Sequence, residues 1–547
     1  MGGGKHSGGI AGLGLIVAMG LAPTDATAQI INRFGVRIPM RDGVTLVANL
    51  WIPTSTGRHP TILLRTPYDK TPQFRRYRLD RYVAAGYAVV VQDTRGRGDS
   101  EGRFDFYFPE GKDGFDTIEW IARQRWSNGR VGMDGGSYLG TVQWLAAREQ
   151  PPHLACIAPT ASSGRLFDEL PYLGGAFQLE WALPWLQSVS GQVSQADLNE
   201  LVKWDSLSHQ RPLVRLDSLL GRPMPLYQAM LAHPTLDAYW RRIQFTDRDF
   251  ARIRIPVLTV TGWFDGDQLG ALSYWDGMER RGGADSHYLI IGPWNHGQTY
   301  LGGELAVGAF RFDSTAVLAI QDERIRFFDW CLGRSTPRYD APRVRLYQTG
   351  TNRWRQSDRY PLAETTTRPL YLASGGRANT LDGDGSLQWE PPAEMPPDTF
   401  RYNPANPVPA RPIATDHRAV ERRADVLVYT TPPVSEPIDL IGRPVVKLWA
   451  SSDAKDTDFT AKLLDVFPDG RAVLLGPVPV AVRRARYRDG YRRTRLLVPG
   501  RAEEFTIEMA DIGHRVDIGH RIRLEISSSA YPFIDANPNT GLTIATD

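Results

Sequence analysis

The segment Gly132-Met133-Asp134-Gly135-Gly136-Ser137-Tyr138-Leu139-Gly140 sets one serine in a glycine-rich turn, directly ahead of a helical run from Tyr138 to Gln150. A serine on a tight strand-to-helix turn has an exposed hydroxyl and a helix N-terminus beneath it, which is the form of a nucleophile elbow. Glycines at 135, 136 and 140 let the chain turn sharply and let the helix approach the sheet. The usual esterase spacing is Gly-x-Ser-x-Gly, and here the trailing glycine falls one place late, at 140. A glycine-rich turn with an incidental serine fits that spacing too, so the partners of Ser137 must settle the matter.

A serine hydroxyl is inert at its free pKa and needs a base within hydrogen-bond reach. Imidazole suits that work because it titrates near neutrality. The chain has ten histidines. His6 lies in an N-terminal leader, and His153 follows the elbow too closely. His287 opens a strand. His59, His209, His233, His417, His514 and His520 fall in polar loops, in the middle segment or in the C-terminal β region. His296 follows the apolar strand ending at Ile291 by Gly292-Pro293-Trp294-Asn295, which sets it on a loop at the strand's carboxyl end. Open α/β sheets gather their functional residues there. The acid belongs after the preceding strand. Val257 to Thr261 runs into Gly262-Trp263-Phe264-Asp265-Gly266-Asp267, so Asp265 and Asp267 are both candidates, with Asp265, at the sheet edge, preferred. No His-x-x-x-His or clustered His/Asp set is present, so neither a metal nor a cofactor is expected.

The elements that must position these residues follow from periodicity. Alternation over Val36–Met40 and Val44–Leu50 around Arg41-Asp42-Gly43 reads as a hairpin. Thr61–Arg65 and Tyr87–Gln92 are apolar runs of the kind buried in a parallel sheet. Asp113–Gln124 is amphipathic. Strand, helix, strand, helix in succession is an α/β pattern. From Ala161 to Arg248 prolines and helix-length stretches replace it, with Trp181, Trp185, Trp204 and Trp240 among them. This reads as an inserted, mostly helical cap. Sheet rhythm returns at Ile255 and at His287, and a helix is expected over Ile320–Leu332. From about Thr366 helices vanish and alternating runs dominate, as in an antiparallel jelly roll or sandwich. The expected division is therefore a leader at 1–28, hydrolase core at 29–160 and 249–365, cap at 161–248 and β domain at 366–547.

A chain of 547 residues with net charge +3 and only short basic clusters is not built for nucleic acid. Two cysteines, Cys156 and Cys331, make no disulfide framework. Cys156 lies in an apolar run and reads as a small buried hydrophobe, and the sequence leaves its pairing with Cys331 open. Lys5 and His6, an apolar stretch from Ile10 to Leu21 and Ala26-Thr27-Ala28 compose a secretory signal peptide. The stretch is too short to cross a bilayer, so a periplasmic or secreted protein without membrane insertion is expected. Association into a homo-oligomer is left open.

Together, Arg65-Thr-Pro-Tyr-Asp-Lys70, Asp93-Thr-Arg-Gly-Arg-Gly-Asp-Ser-Glu-Gly102, Trp126–Met133 with the elbow, Gly262–Gly266 and Gly292–His296 resemble the CocE/NonD hydrolases over roughly residues 32–547. That family includes bacterial cocaine esterase, X-Pro dipeptidyl peptidases, α-amino acid ester hydrolases and glutaryl cephalosporin acylases. The resemblance implies Ser137 as nucleophile, Asp265 as acid and His296 as base. It implies an oxyanion hole from the Tyr138 N–H and the Tyr68 hydroxyl, and an α/β-hydrolase core with helical cap and C-terminal jelly roll. Family members that hold a substrate ammonium use carboxylates two and three places after the acid, and here those positions are Asp267 and Gln268. No acid aligns with the third, near Pro171, although Asp168 and Glu169 are close. Family members usually continue past Asn537–Gly541 with further strands. The expected activity is cleavage of small-molecule esters or amides. X-Pro dipeptidyl peptidase and β-lactam or amino-acid ester acylase activities are the alternatives, and a glycan-binding jelly roll with an idle triad is a rival from another class. Phe167 and Trp181 in the cap are expected to line an acyl pocket, with Asp267 beside them.

Overall fold

The computed structural model describes residues 30–547, apart from 195–201, 204–205, 207–209, 222, 284–285 and 336. The expected leader, Trp204 and His209 lie outside the described residues. Ten strands make the central sheet: β1 (Ile30–Pro39), β2 (Thr45–Pro53), β3 (His59–Thr66), β4 (Ala88–Asp93), β5 (Ser127–Gly136), β6 (Leu154–Thr160), β7 (Val257–Phe264), β8 (His287–Asn295), β9 (Val344–Gln348) and β10 (Arg353–Ser357). Their spatial order is β1-β2-β4-β3-β5-β6-β7-β8-β9-β10. The strands from β4 to β9 in that order run parallel, while β1, β2 and β10 pair antiparallel at the edges.

Burial explains the apolar runs. Every position of β3, β4 and β7 is buried, and the two-residue side-chain period sends alternate residues to opposite faces. Ile62, Leu64, Val89 and Val91 join one hydrophobic core, whereas Leu63, Ala88 and Val90 join the other. The helices that matter to the site are α1 (Lys70–Arg76), α2 (Asp80–Ala84), α3 (Glu110–Ala122), α4 (Tyr138–Arg148), α5 (Leu179–Val189), α6 (Gln268–Arg281) and α7 (Ile320–Cys331). A disulfide joins Cys156 on β6 to Cys331 at the end of α7, across 175 residues of chain. The pairing that the sequence left open is thereby made, and it fastens α7 to the centre of the sheet.

Between β6 and β7 lie α5 and the shorter helices Leu216–Leu219, Pro225–Ala232, Ala238–Arg241 and Asp247–Arg252. Ahead of them run three short strands, Leu166–Phe167, Leu170–Leu173 and Ala176–Phe177, which the helical reading of this segment missed. The β region after residue 366 has a seven-stranded sheet and two two-stranded ribbons, Ile438–Gly442 with Ile512–Val516 and Val445–Ala450 with Glu503–Glu508. The chain is thus an α/β hydrolase core followed by an all-β domain. One four-residue helix, Arg418–Glu421, interrupts the β region.

Candidate active site

Ser137 sits between the end of β5 and the start of α4 with φ 61° and ψ −128°. A non-glycine residue in that conformation is strained, and such strain persists only where the surroundings hold it. Here the Ser137 N–H donates to Thr160 O at 3.0 Å, while Gly140 and Thr141 N–H groups donate back to Ser137 O. The Tyr138 N–H opens α4 and has no acceptor among the described residues, as expected of the first turn of a helix. The Tyr138 hydroxyl is anchored below, donating to Phe106 O at 2.6 Å with Glu110 Oε1 2.9 Å away. The Arg65 guanidinium stands 2.7 Å from Glu110 Oε2.

Two further loops converge on this turn. Asp265 follows β7 and is fully buried. Its Oδ2 accepts from the Thr261 hydroxyl at 2.7 Å, and its Oδ1 accepts from the Asp267 N–H at 3.1 Å. His296 follows β8, with Nδ1 2.7 Å from Asp265 Oδ1. Burial lowers the His296 pKa, but the hydrogen bond and charge of Asp265 and the charge of Asp267 outweigh it and push it up to about 9. The side chain keeps 39% of its surface exposed, so water screens part of that pull. Tyr68, on the loop after β3, receives the Trp185 indole N–H on its hydroxyl oxygen at 2.9 Å. Its own proton is therefore free to point elsewhere. Burial raises the phenol to about 12 against the lowering effect of that bond, so Tyr68 remains a donor at neutral pH.

The family model for X-Pro dipeptidyl-peptidase (S15 family) matches residues 42–298, and that for the X-Pro dipeptidyl-peptidase C-terminal non-catalytic domain matches 339–545. Cocaine esterase from Rhodococcus sp. (strain MB1 Bresler) is 35% identical over 93% of this chain and 93% of its own. The chain belongs to the CocE/NonD family of serine hydrolases. Among solved structures, an aminopeptidase from a marine sediment Thaumarchaeota archaeon is 28% identical with TM-score 0.84, covering 96% of this chain and 93% of that one. An α-amino acid ester hydrolase is 28% identical with TM-score 0.81, covering 98% and 95%.

In this hydrolase the remaining expected residues separate. Trp181 is half-buried and stacks on Trp185 at 5.2 Å, beside Tyr68. Phe167 has no exposed surface, and its ring is enclosed by Tyr172, Trp240 and Tyr491. Asp267 Oδ2 lies 4.0 Å from His296 Nδ1. Burial raises Asp267 and His296 pulls it back, and with the charge of Asp265 it stands at about 6. Glu169 is drawn in beside it. Its two oxygens accept three main-chain N–H groups, from Gly164, Arg165 and Gly270, while burial and the charge of Asp267 raise its pKa well above the usual range. Asp168 is occupied instead with Arg165 and the Gly174 N–H. Gln268 exchanges hydrogen bonds with the Asp511 backbone, so the position that departs from the family's acid pins α6 to the β domain. Reasoning from sequence passed over Trp185 and Tyr300. Trp185 was one tryptophan among several in the cap, and nothing in a single sequence marks a tyrosine in a tight turn.

Proposed function

We propose that this hydrolase cleaves ester or amide bonds of small acyl compounds through an acyl-enzyme on Ser137. The observation that carries the reading is the His296–Asp265 pair on adjacent strand ends, together with a serine held at an elbow. Ser137 Oγ attacks the acyl carbon while its proton passes to His296 Nε2. Asp265 keeps the imidazole in the right tautomer and stabilises the imidazolium. The Tyr68 hydroxyl and the Tyr138 N–H receive the oxyanion. His296 then returns the proton to the leaving group, and water deacylates the serine. A fluorophosphonate should label Ser137, and p-nitrophenyl ester turnover should vanish in Ser137→Ala. Undiminished turnover in that variant overturns the reading.

The stacked Trp181 and Trp185 beside Tyr68 favour an apolar or aromatic acyl group. Phenylacetyl or benzoyl esters should then exceed acetyl esters in kcat/KM by about tenfold, and Trp181→Ala should shrink that ratio. A second reading, recognition of a free α-amine as in the aminopeptidase and the α-amino acid ester hydrolase, is supported by the Asp267 carboxylate, whose Oδ2 lies 4.0 Å from His296 Nδ1. Faster hydrolysis of Ala-Pro-p-nitroanilide than of its N-acetylated form would select it. Export to an oxidising compartment is supported by the apolar leader and by the Cys156–Cys331 disulfide, and fractionation of expressing cells tests it.

A further inference from the structure

Tyr300 lies four residues beyond His296, in the 3₁₀ turn Gln298–Tyr300. Its hydroxyl and His296 Nε2 share a hydrogen bond of 2.9 Å. Nδ1 faces Asp265, so Nε2 is the atom that must take the Ser137 proton, and a neutral imidazole offers one lone pair there. Among the described residues the Ser137 hydroxyl makes no hydrogen bond to that nitrogen. The tyrosine is held from three directions. Its ring lies over Gly136, where a Cβ would fall 2.2 Å from Tyr300 Cε1. It packs on Tyr77 at 5.7 Å, whose hydroxyl accepts from the Gly136 N–H. Its carbonyl accepts from the buried Arg324 guanidinium at 2.9 Å.

We propose that Tyr300 is a positioning residue that holds His296 Nε2 in the resting enzyme and must yield it to Ser137 before acylation begins. The inference rests on Ser137 and His296 as nucleophile and base. The phenol serves both protonation states, donating its O–H to the neutral imidazole and accepting N–H from the imidazolium. Burial raises Tyr300 well above the usual phenol range, so it does not replace His296 as base. A hydrogen bond from a charged donor is the stronger of the two, so Tyr300 also favours the protonated, resting ring. The other groups facing this pair are Asp265 and Asp267 after β7, Arg76 on α1, Tyr77 following it, and Tyr68 after β3. Among the described residues Tyr300 is the partner of Nε2.

The test is phosphonylation of Ser137 by a fluorophosphonate across pH, in wild type and in Tyr300→Phe. In that reaction Oγ bonds to phosphorus, fluoride leaves, and the serine proton passes to Nε2. Loss of one competing hydrogen bond should raise the high-pH plateau about fivefold, and the midpoint should move to lower pH. An unchanged plateau and midpoint, or a fallen plateau, overturns the proposal. If neither protein is labelled, the reading of Ser137 as nucleophile has itself failed. Should Tyr300→Phe not fold, ¹⁵N-histidine spectra of Ser137→Ala decide. Above its titration, His296 Nε2 should still show a hydrogen-bonded shift there, and a free-acceptor shift overturns the proposal.

Discussion

Two regions of the molecule pair a histidine with a buried carboxylate, and they use the pair in opposite ways. On the site face, His296 Nδ1 meets Asp265 at 2.7 Å, and the His296 side chain keeps 39% of its surface exposed. In the β domain, His417 Nδ1 meets Glu525 at 3.1 Å, both side chains are fully buried, and His417 Nε2 has no partner among the described residues. Lys462 stands 3.1 Å from the other Glu525 oxygen and shares its charge. The residue types and the distances are nearly alike. What separates them is access, since a base must offer its second nitrogen to a substrate, whereas a structural pair need only neutralise itself. A histidine–carboxylate contact by itself therefore does not mark a site.

The comparison breaks most sharply at the carboxylates. Asp265→Asn keeps the volume but loses the acceptor that fixes the His296 tautomer, and kcat should fall by about 10⁴ with the fold intact. An unaltered kcat on the best ester substrate would place the base elsewhere. Glu525→Gln should do the reverse. It leaves Lys462 buried beside a neutral amide, so stability should fall by about 3 kcal/mol while kcat stays within about twofold. Burial raises Glu525, but Lys462 and His417 together hold it below the ordinary range. Its stabilising contribution is thus present above the unfolded glutamate pKa and is lost as pH falls through the folded value. Denaturant unfolding of Glu525→Gln should show a flatter acid limb than wild type, and equal limbs would mean that the pair carries nothing.

Local signals made the first pair legible and hid much of the rest. An apolar strand followed by a short loop placed His296 and Asp265 because parallel strands deliver their ends to one edge. The strands at 166–177 were not legible, because their two to four residues are ordered by contact with other parts of the chain. Tyr172 hydrogen-bonds Met230 O, and the Phe177 N–H donates to Asp535 across the cap and β domain. Phe167 looked like a pocket residue because sequence cannot tell a cap's inner core from its lining. The role of Gly136 was read as turn flexibility, yet its φ is ordinary and its lack of a side chain makes room for the Tyr300 ring. Gly136→Ala should therefore displace that ring and the elbow with it. Misplacement of this kind is expected to lower kcat/KM by about 10² with a modest loss of stability. A variant with wild-type kcat/KM would show that the ring moves aside freely.

The smallest effect concerns a second carboxylate beside the site pair, Asp267. Its Oδ2 is 4.0 Å from His296 Nδ1, and its charge is one of the causes that push the base up to about 9. The base must be neutral to act, so kcat/KM should rise with pH through a midpoint above the usual imidazole value and be lost below it. Asp267→Asn removes one negative charge, and the midpoint should move down. With 39% of the His296 side chain exposed, the interaction is near the water-like limit of about 1 kcal/mol. Below the midpoint the variant should thus be about fivefold more active than wild type towards an uncharged ester. Asp267 itself titrates at about 6, which adds a second signature. Below that pH wild type carries the neutral acid, and the advantage of the variant should fade. A pH–rate profile of both proteins reads this directly, and a constant ratio across pH 5 to 8 would exclude Asp267 as the source of the raised midpoint.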